Sequence, residues 1–198
     1  MSKHKRFPAP DPPYLGPAAH DSGPGNKPIK RIVIHSTVSP CERGGARNIA
    51  AYFRSPSAGG SAHYVVDPGE VVQVVGDSTI AWHAPPNQHS LGIEMCDFPA
   101  TGITGGKRWK DADHKAMFLR TARLVAELCL AYDVPPWFRH PLGLKLGRKG
   151  VTTHNNVSRA FRQSTHWDPG AWPRRRFMRQ VRAEWKRITG HRPSRRAR

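Results

Sequence analysis

Eleven histidines in 198 residues make imidazole the group to weigh first, since it can ligate a metal or move protons near neutral pH. His35 closes the run Lys30-Arg31-Ile32-Val33-Ile34-His35-Ser36-Thr37, where an inward strand side chain opens into a cleft built by loops. His154 sits at an apolar-to-polar boundary in Val151-Thr152-Thr153-His154-Asn155-Asn156, and His166 and Asp168 share the turn Ser164-Thr165-His166-Trp167-Asp168-Pro169-Gly170. Two imidazoles and one carboxylate, with a fourth position left to water, form a common ligand set for catalytic zinc. No short-range signature such as H-E-x-x-H accompanies them, and on composition alone they read as ordinary surface or core histidines. The three cysteines, Cys41, Cys96 and Cys129, are odd in number and far apart, without C-x-x-C spacing. Reduced thiols are expected, with neither a disulfide framework nor a cysteine-rich zinc knuckle.

The elements that must position these groups are legible as patterns. Residues 30–37 are a β-branched run with polar ends, the mark of a buried strand. Ala46, Ile49, Ala50 and Phe53 recur at helical spacing until Ser55-Pro56. Asp67-Pro68-Gly69-Glu70 between His63-Tyr64-Val65-Val66 and the valine-rich run 71–75 predicts a hairpin, with Gly69 free to take positive φ. Leu91–Phe98 is a further strand. A long helix spans about Asp113–Tyr132, and a last one runs from Pro173 to Gly190 with a core stripe of Phe177, Val181, Trp185 and Ile188. The fold class that follows is α/β, a single domain with a central mixed β-sheet flanked by helices.

Length agrees with one domain at ~150 residues per domain. Residues 1–28 hold seven prolines and almost no aliphatic side chains, which predicts an extended arm without regular structure. Residues 29–190 form the organised domain and 191–198 a basic tail. No run approaches the ~18 apolar residues of a membrane span, and the basic, proline-rich start is no secretory signal, so cytosolic synthesis of a monomer is expected. The net charge is +18, which favours polyanionic partners. The last helix contributes Arg174, Arg175, Arg176, Arg179, Arg182, Lys186 and Arg187 against Glu184. A nucleic-acid binder is one reading of that charge, but helix-turn-helix, zinc-finger and RNP-like patterns are missing; no nucleic-acid partner is expected.

The segments IVIHST, GGSAHYVVD, AWHA, LGIEMCDF, TTHNN and THWDPG, in that order over about residues 29–175, closely resemble the zinc-dependent N-acetylmuramoyl-L-alanine amidases of the type-2 family. These share their fold with peptidoglycan-recognition proteins and include many phage endolysins. The resemblance implies one zinc ion held by His35, His154 and Asp168, with Cys96 a competing sulfur ligand. It implies Glu94 as general base and proton donor to the leaving amine, Tyr64 as a hydroxyl near the metal, and Trp82 and His83 as lining of the substrate groove. Two residues before the third ligand the family usually has lysine or threonine; His166 stands there and would donate to the oxyanion. The substrate implied is peptidoglycan, reached from the cytosol through a holin-like pore, with the basic helix and tail adhering to anionic wall polymers. A non-catalytic peptidoglycan receptor is the rival within this fold, and the retained ligands and Glu94 speak against it.

Overall fold

In the computed structural model, which describes residues 7–101 and 106–194, the elements are β1 (Asp21–Pro24), β2 (Arg31–Ser36), α1 (Gly45–Phe53), β3 (Tyr64–Val66), β4 (Val71–Gln73), β5 (Thr79–Ala81), β6 (Ser90–Met95), α2 (Ala112–Ala131), α3 (Pro141–Lys145), β7 (Gly150–Thr153), α4 (His154–Phe161) and α5 (Arg174–Thr189). The central sheet has the order β4-β3-β6-β2-β7. Strands β3, β6, β2 and β7 are parallel and β4 returns antiparallel from β3, the mixed α/β sheet the patterns predict. No helix among the described residues is long and apolar enough to cross a membrane.

Burial on both faces explains why β2 is an unbroken apolar run. Ile32 and Ile34 join Leu91, Ile93 and Met95 in the main core, under Met117, Val125 and Leu128 of α2 and Phe177 and Val181 of α5. Val33 points the other way, into a smaller cluster with Ala84, Leu144, Val157 and Ala160 beneath α3 and α4. Asp111 caps α2 by accepting the His114 N–H at 2.8 Å. Gly190, at φ 81°, ends α5 as the sequence predicts.

Two expectations need correction. The hairpin forms, but Gly69 does not take positive φ. Asp67 closes the turn instead: its Oδ1 accepts from Gly69 N at 2.6 Å and Glu70 N at 2.8 Å, and its Oδ2 accepts from Ala46 N at 3.0 Å. The proline-rich arm is not without regular structure, because β1 pairs with β5. Upstream, Leu15 N donates to Gln73 O at 2.7 Å and Gln73 N to Pro13 O at 2.9 Å, so the arm covers the edge of β4. Residues 137–139 cover the opposite edge, where Val151 N donates to Trp137 O and Arg139 N to Val151 O. Residues 1–6 of the arm and 195–198 of the tail lie outside the described residues.

His63 and His114 bind protons unlike free imidazole. His63, fully buried, accepts from Gly92 N at Nδ1 (3.0 Å) and donates from Nε2 to Thr79 O (3.0 Å); burial pushes its pKa down to about 4. His114 bonds Asp111 (2.7 Å) and Asp97 (3.1 Å). Burial opposes its charge, but the hydrogen bond to Asp97 and its other neighbours prevail and raise its pKa to about 10. His63 therefore costs stability as pH falls from 6.5 toward 4, because the unfolded chain takes up the proton first. The stability from His114 is full below 6.5 and lost as pH rises through 10. In chelator, the thermal midpoint is expected to peak near pH 6.5 and fall on both sides. His114→Gln should flatten the alkaline limb; an unaltered limb in that variant would contradict the assignment.

Candidate active site

One register row across four parallel strands builds the site. His35 pairs with Glu94 across β2 and β6, and Glu94 with Val65 across β6 and β3. On the other side Ile34 pairs with Thr153, so the next residue, His154, falls beside His35. Because side chains alternate along a strand, the three polar groups leave the sheet on one face, that of Val33. Strand β7 turns into α4 without a loop: Thr153 caps the helix by accepting from Asn156 N at 3.4 Å. Asp168 arrives from the turn before α5, and its carbonyl accepts from Asn155 N at 3.1 Å.

The three expected ligands converge. One ligand atom each from His35, His154 and Asp168 lies within 4.8 Å of the others, and all three residues are buried. The contacts run through Nδ1: His35 Nδ1 is 3.2 Å from Asp168 Oδ2 and His154 Nδ1 is 3.2 Å from Asp168 Oδ1. Asp168 Oδ2 nevertheless has no partner in hydrogen-bond geometry. Burial disfavours the Asp168 charge, but the two imidazoles outweigh burial and hold its carboxyl well below the usual carboxylate range.

A chain of hydrogen bonds fixes the His35 tautomer. Ser90 Oγ donates to Asn87 O at 2.6 Å, so toward His83 it accepts, from Nε2 at 3.0 Å. His83 Nδ1 is then an acceptor and takes the Nε2–H of His35 at 3.1 Å, leaving a lone pair on His35 Nδ1 facing Asp168. Burial, with the neighbouring imidazoles, holds the His83 pKa well below its ordinary value, as an acceptor requires. On the other imidazole, His154 Nε2 meets Ser164 Oγ at 3.3 Å. His83 lines the cleft, but both its ring nitrogens are committed inside the wall. It orients His35 and is not free for a substrate. Gly92 makes room for it: a Cβ there would lie 2.6 Å from His83 Cγ.

Glu94 Oε1 stands 3.8 Å from His35 Nδ1, and its buried Oε2 has no hydrogen-bond partner. Burial and then the Asp168 charge raise its carboxyl well above the ordinary value. His166 stacks on His154 at 4.4 Å between ring centres, with its side chain 66% exposed at the cleft mouth. Partial burial, followed by His154, holds its pKa below that of free imidazole, so it meets neutral solution as an uncharged N–H donor. The cleft is about 760 Å³, with Trp82, Trp167 and Tyr52 on its rim. Trp82 is anchored by Nε1–H to Ser22 Oγ at 2.7 Å and stacks on His20.

Tyr64 is not part of this site. It pairs with Ile93, one position off the Glu94 row, so its side chain leaves the opposite face and is fully buried in the main core. There its hydroxyl donates to Asp77 Oδ1 at 2.7 Å, beside Tyr132 on the other carboxylate oxygen. Cys96 also lies apart, packed against Gly45 at the start of α1 with its thiol pushed up to about 12 by burial. His83, Asn87 and Ser90 bond one another within a single segment, but the link from His83 to His35 carries no local sequence signal, since His35 lies on β2.

Residues 25–171 match the family described as N-acetylmuramoyl-L-alanine amidase. Over 110 residues, 52% of the chain, the sequence is 30% identical to N-acetylmuramoyl-L-alanine amidase CwlA of a Bacillus species. The chain spans 39% of the length of that curated relative. Among solved structures, Staphylococcus aureus hydrolase AmiA in complex with its ligand superposes with a TM-score of 0.69 at 15% identity, covering 93% of this chain and 87% of that one. A mutant endolysin from Bacillus subtilis gives 0.56 at 18% identity, covering 85% of this chain and 97% of that one. At these identities the likeness is one of fold.

The two faces of the sheet separate by mutation. Tyr64→Phe is expected to lose about 1–3 kcal/mol in urea unfolding while metal affinity stays unchanged. Gly92→Ala should weaken metal binding by displacing His83. Reversed outcomes would place Tyr64, not His83, at the site.

Proposed function

Because the chain belongs to the N-acetylmuramoyl-L-alanine amidase family, we propose that it is a zinc-dependent hydrolase of peptidoglycan. It cuts the amide between the lactyl group of N-acetylmuramic acid and the L-alanine of the stem peptide. The observation that carries this reading is the convergence of His35, His154 and Asp168 beside a buried, half-unpartnered Glu94 at the floor of an open cleft. Two neutral imidazoles and a carboxylate are a zinc donor set. The unpartnered Asp168 Oδ2 is what a cation at that point would satisfy. Zinc in such a site supplies a nucleophile at neutral pH and polarises the scissile carbonyl.

The protein's own groups do the proton work. Glu94 Oε2 takes a proton from the attacking water and delivers it to the amide nitrogen as the carbon–nitrogen bond breaks. A carboxyl raised by burial and by a like charge is poised to hold that proton between the two transfers. His166 offers an N–H from the cleft mouth to the oxygen that becomes negative. Trp82 and Trp167, both exposed where they line the cleft, present flat apolar surface for the substrate.

We read the biological role as that of a phage endolysin acting on the bacterial wall after release through a holin-like pore, as a monomer. Adhesion to anionic wall polymers falls to α5. Arg182 lies over the Trp137 ring, Arg174 over Phe138 and Arg176 over Phe118, and Arg187 pairs with Glu184, which leaves exposed Arg175, Arg179 and Lys186 as the outward charge.

His154→Ala should abolish zinc binding, whereas Glu94→Ala should retain zinc and lose about 10²–10⁴-fold in turnover on purified sacculi. Full activity in Glu94→Ala would sink the proton assignment. Reversing Arg175, Arg179 and Lys186 to glutamate should weaken retention on walls at low salt and leave cleavage of soluble muropeptides intact. The wild-type retention should fall as salt rises; retention indifferent to both changes would contradict the adhesion role.

A further inference from the structure

Arg108 lies outside the sheet and outside the groups assigned above, yet it joins three segments that meet at the site. Its Nε donates to Asp97 Oδ1 at 2.8 Å and its Nη2 to Asp97 Oδ2 at 2.7 Å. Asp97 is fully buried just beyond β6, three residues after Glu94, and its Oδ2 also accepts from Ser36 Oγ at 3.1 Å. Ser36 follows His35. From the same guanidinium, Nη2 donates to Pro169 O at 3.1 Å and Nη1 to Ala171 O at 2.8 Å. Those carbonyls stand one and three residues after Asp168, in a turn with no strand or helix of its own between α4 and α5.

We propose that Arg108 is a positioning residue that clamps the Asp168 turn to the strand ends carrying His35 and Glu94, and so sets the affinity of the site for its metal. The inference rests on the zinc reading above. A guanidinium suits the task because its N–H groups form a rigid planar fork: one edge grips a carboxylate with both oxygens while the remaining N–H groups reach two carbonyls. A lysine ammonium keeps the charge but cannot span four acceptors in that plane. Among the described residues, the other hydrogen bonds that reach the backbone of the turn from outside it are single ones: Asn155 N to Asp168 O, Ala171 N to Ala100 O and Trp109 Nε1 to Ala171 O. None of these reaches Asp97. His114 still holds Asp97 Oδ1 at 3.1 Å when the arginine is changed, so the carboxylate keeps a cationic partner and the fold its anchor.

The test compares zinc dissociation constants of wild type, Arg108→Lys and His154→Ala by competition with a chromophoric chelator, alongside circular dichroism and thermal unfolding of the zinc-free proteins. Arg108→Lys is expected to bind zinc about 10–100-fold more weakly while its zinc-free form unfolds close to wild type. Zinc affinity equal to wild type, with or without a lower unfolding temperature, overturns the clamp and leaves the zinc reading standing. Wild type that binds zinc no better than His154→Ala overturns the zinc reading, and the clamp with it. Arg108→Gln, which keeps N–H donors without charge, gives the same comparison should the lysine variant not fold.

Discussion

Glu94 and Asp168 are carboxylates buried within reach of one imidazole, and a fold does not hold such a pair out of water unless something opposite in sign offsets the cost. Asp168 achieves this through His35 and His154; Glu94 does not, and its carboxyl rises accordingly. The rest of the architecture follows from keeping that arrangement in place. Strand register brings three of the four groups into a row, α4 begins at the fourth strand's end so that His154 cannot swing away, and the turn bearing Asp168 is tied from both sides. The cluster is therefore assembled by backbone geometry, with the side-chain network refining tautomer and angle.

Much of this was legible in the chain. His35 sits in a run that reads as a buried strand, and α5 ends at Gly190 as read from the sequence; α2 starts at Ala112 behind the Asp111 cap, one residue before the expected Asp113. Family resemblance supplied the pairing of His35 with the distant His154 and Asp168, which no local pattern could. Tyr64 shows where such reading fails: His63-Tyr64-Val65 tells that the faces alternate, but which face looks at Glu94 depends on pairing with β6, a long-range fact. His83 was legible as a cleft residue and illegible as a partner of His35 for the same reason. Strand β7, helix α3 and helix α4 escaped notice because they are short, and threonine, asparagine and histidine dominate the boundary between β7 and α4.

Charge was likewise readable in amount and only partly in use. The seven cations of α5 look like one solvated face in sequence. In the fold Arg174 and Arg182 are half-buried against aromatic rings, and Arg176 lies over Phe118, so part of the basic stripe fastens the helix to its neighbours. Aromatic residues scattered over α2 and the segment before α3 are what turn those arginines inward, and nothing in the spacing of α5 itself signals it.

Both rims of the central sheet are spoken for, β4 by the Pro13–Leu15 stretch and β7 by residues 137–139. A bare rim is a template onto which a strand from another molecule can zip, the first step toward fibres and swapped dimers. Proline in the covering segment reinforces the effect, since a ring nitrogen has no hydrogen to offer an incoming chain. The arm thus works as a selvedge that keeps the weave from joining its neighbour, so many copies can crowd together without their sheets knitting into one.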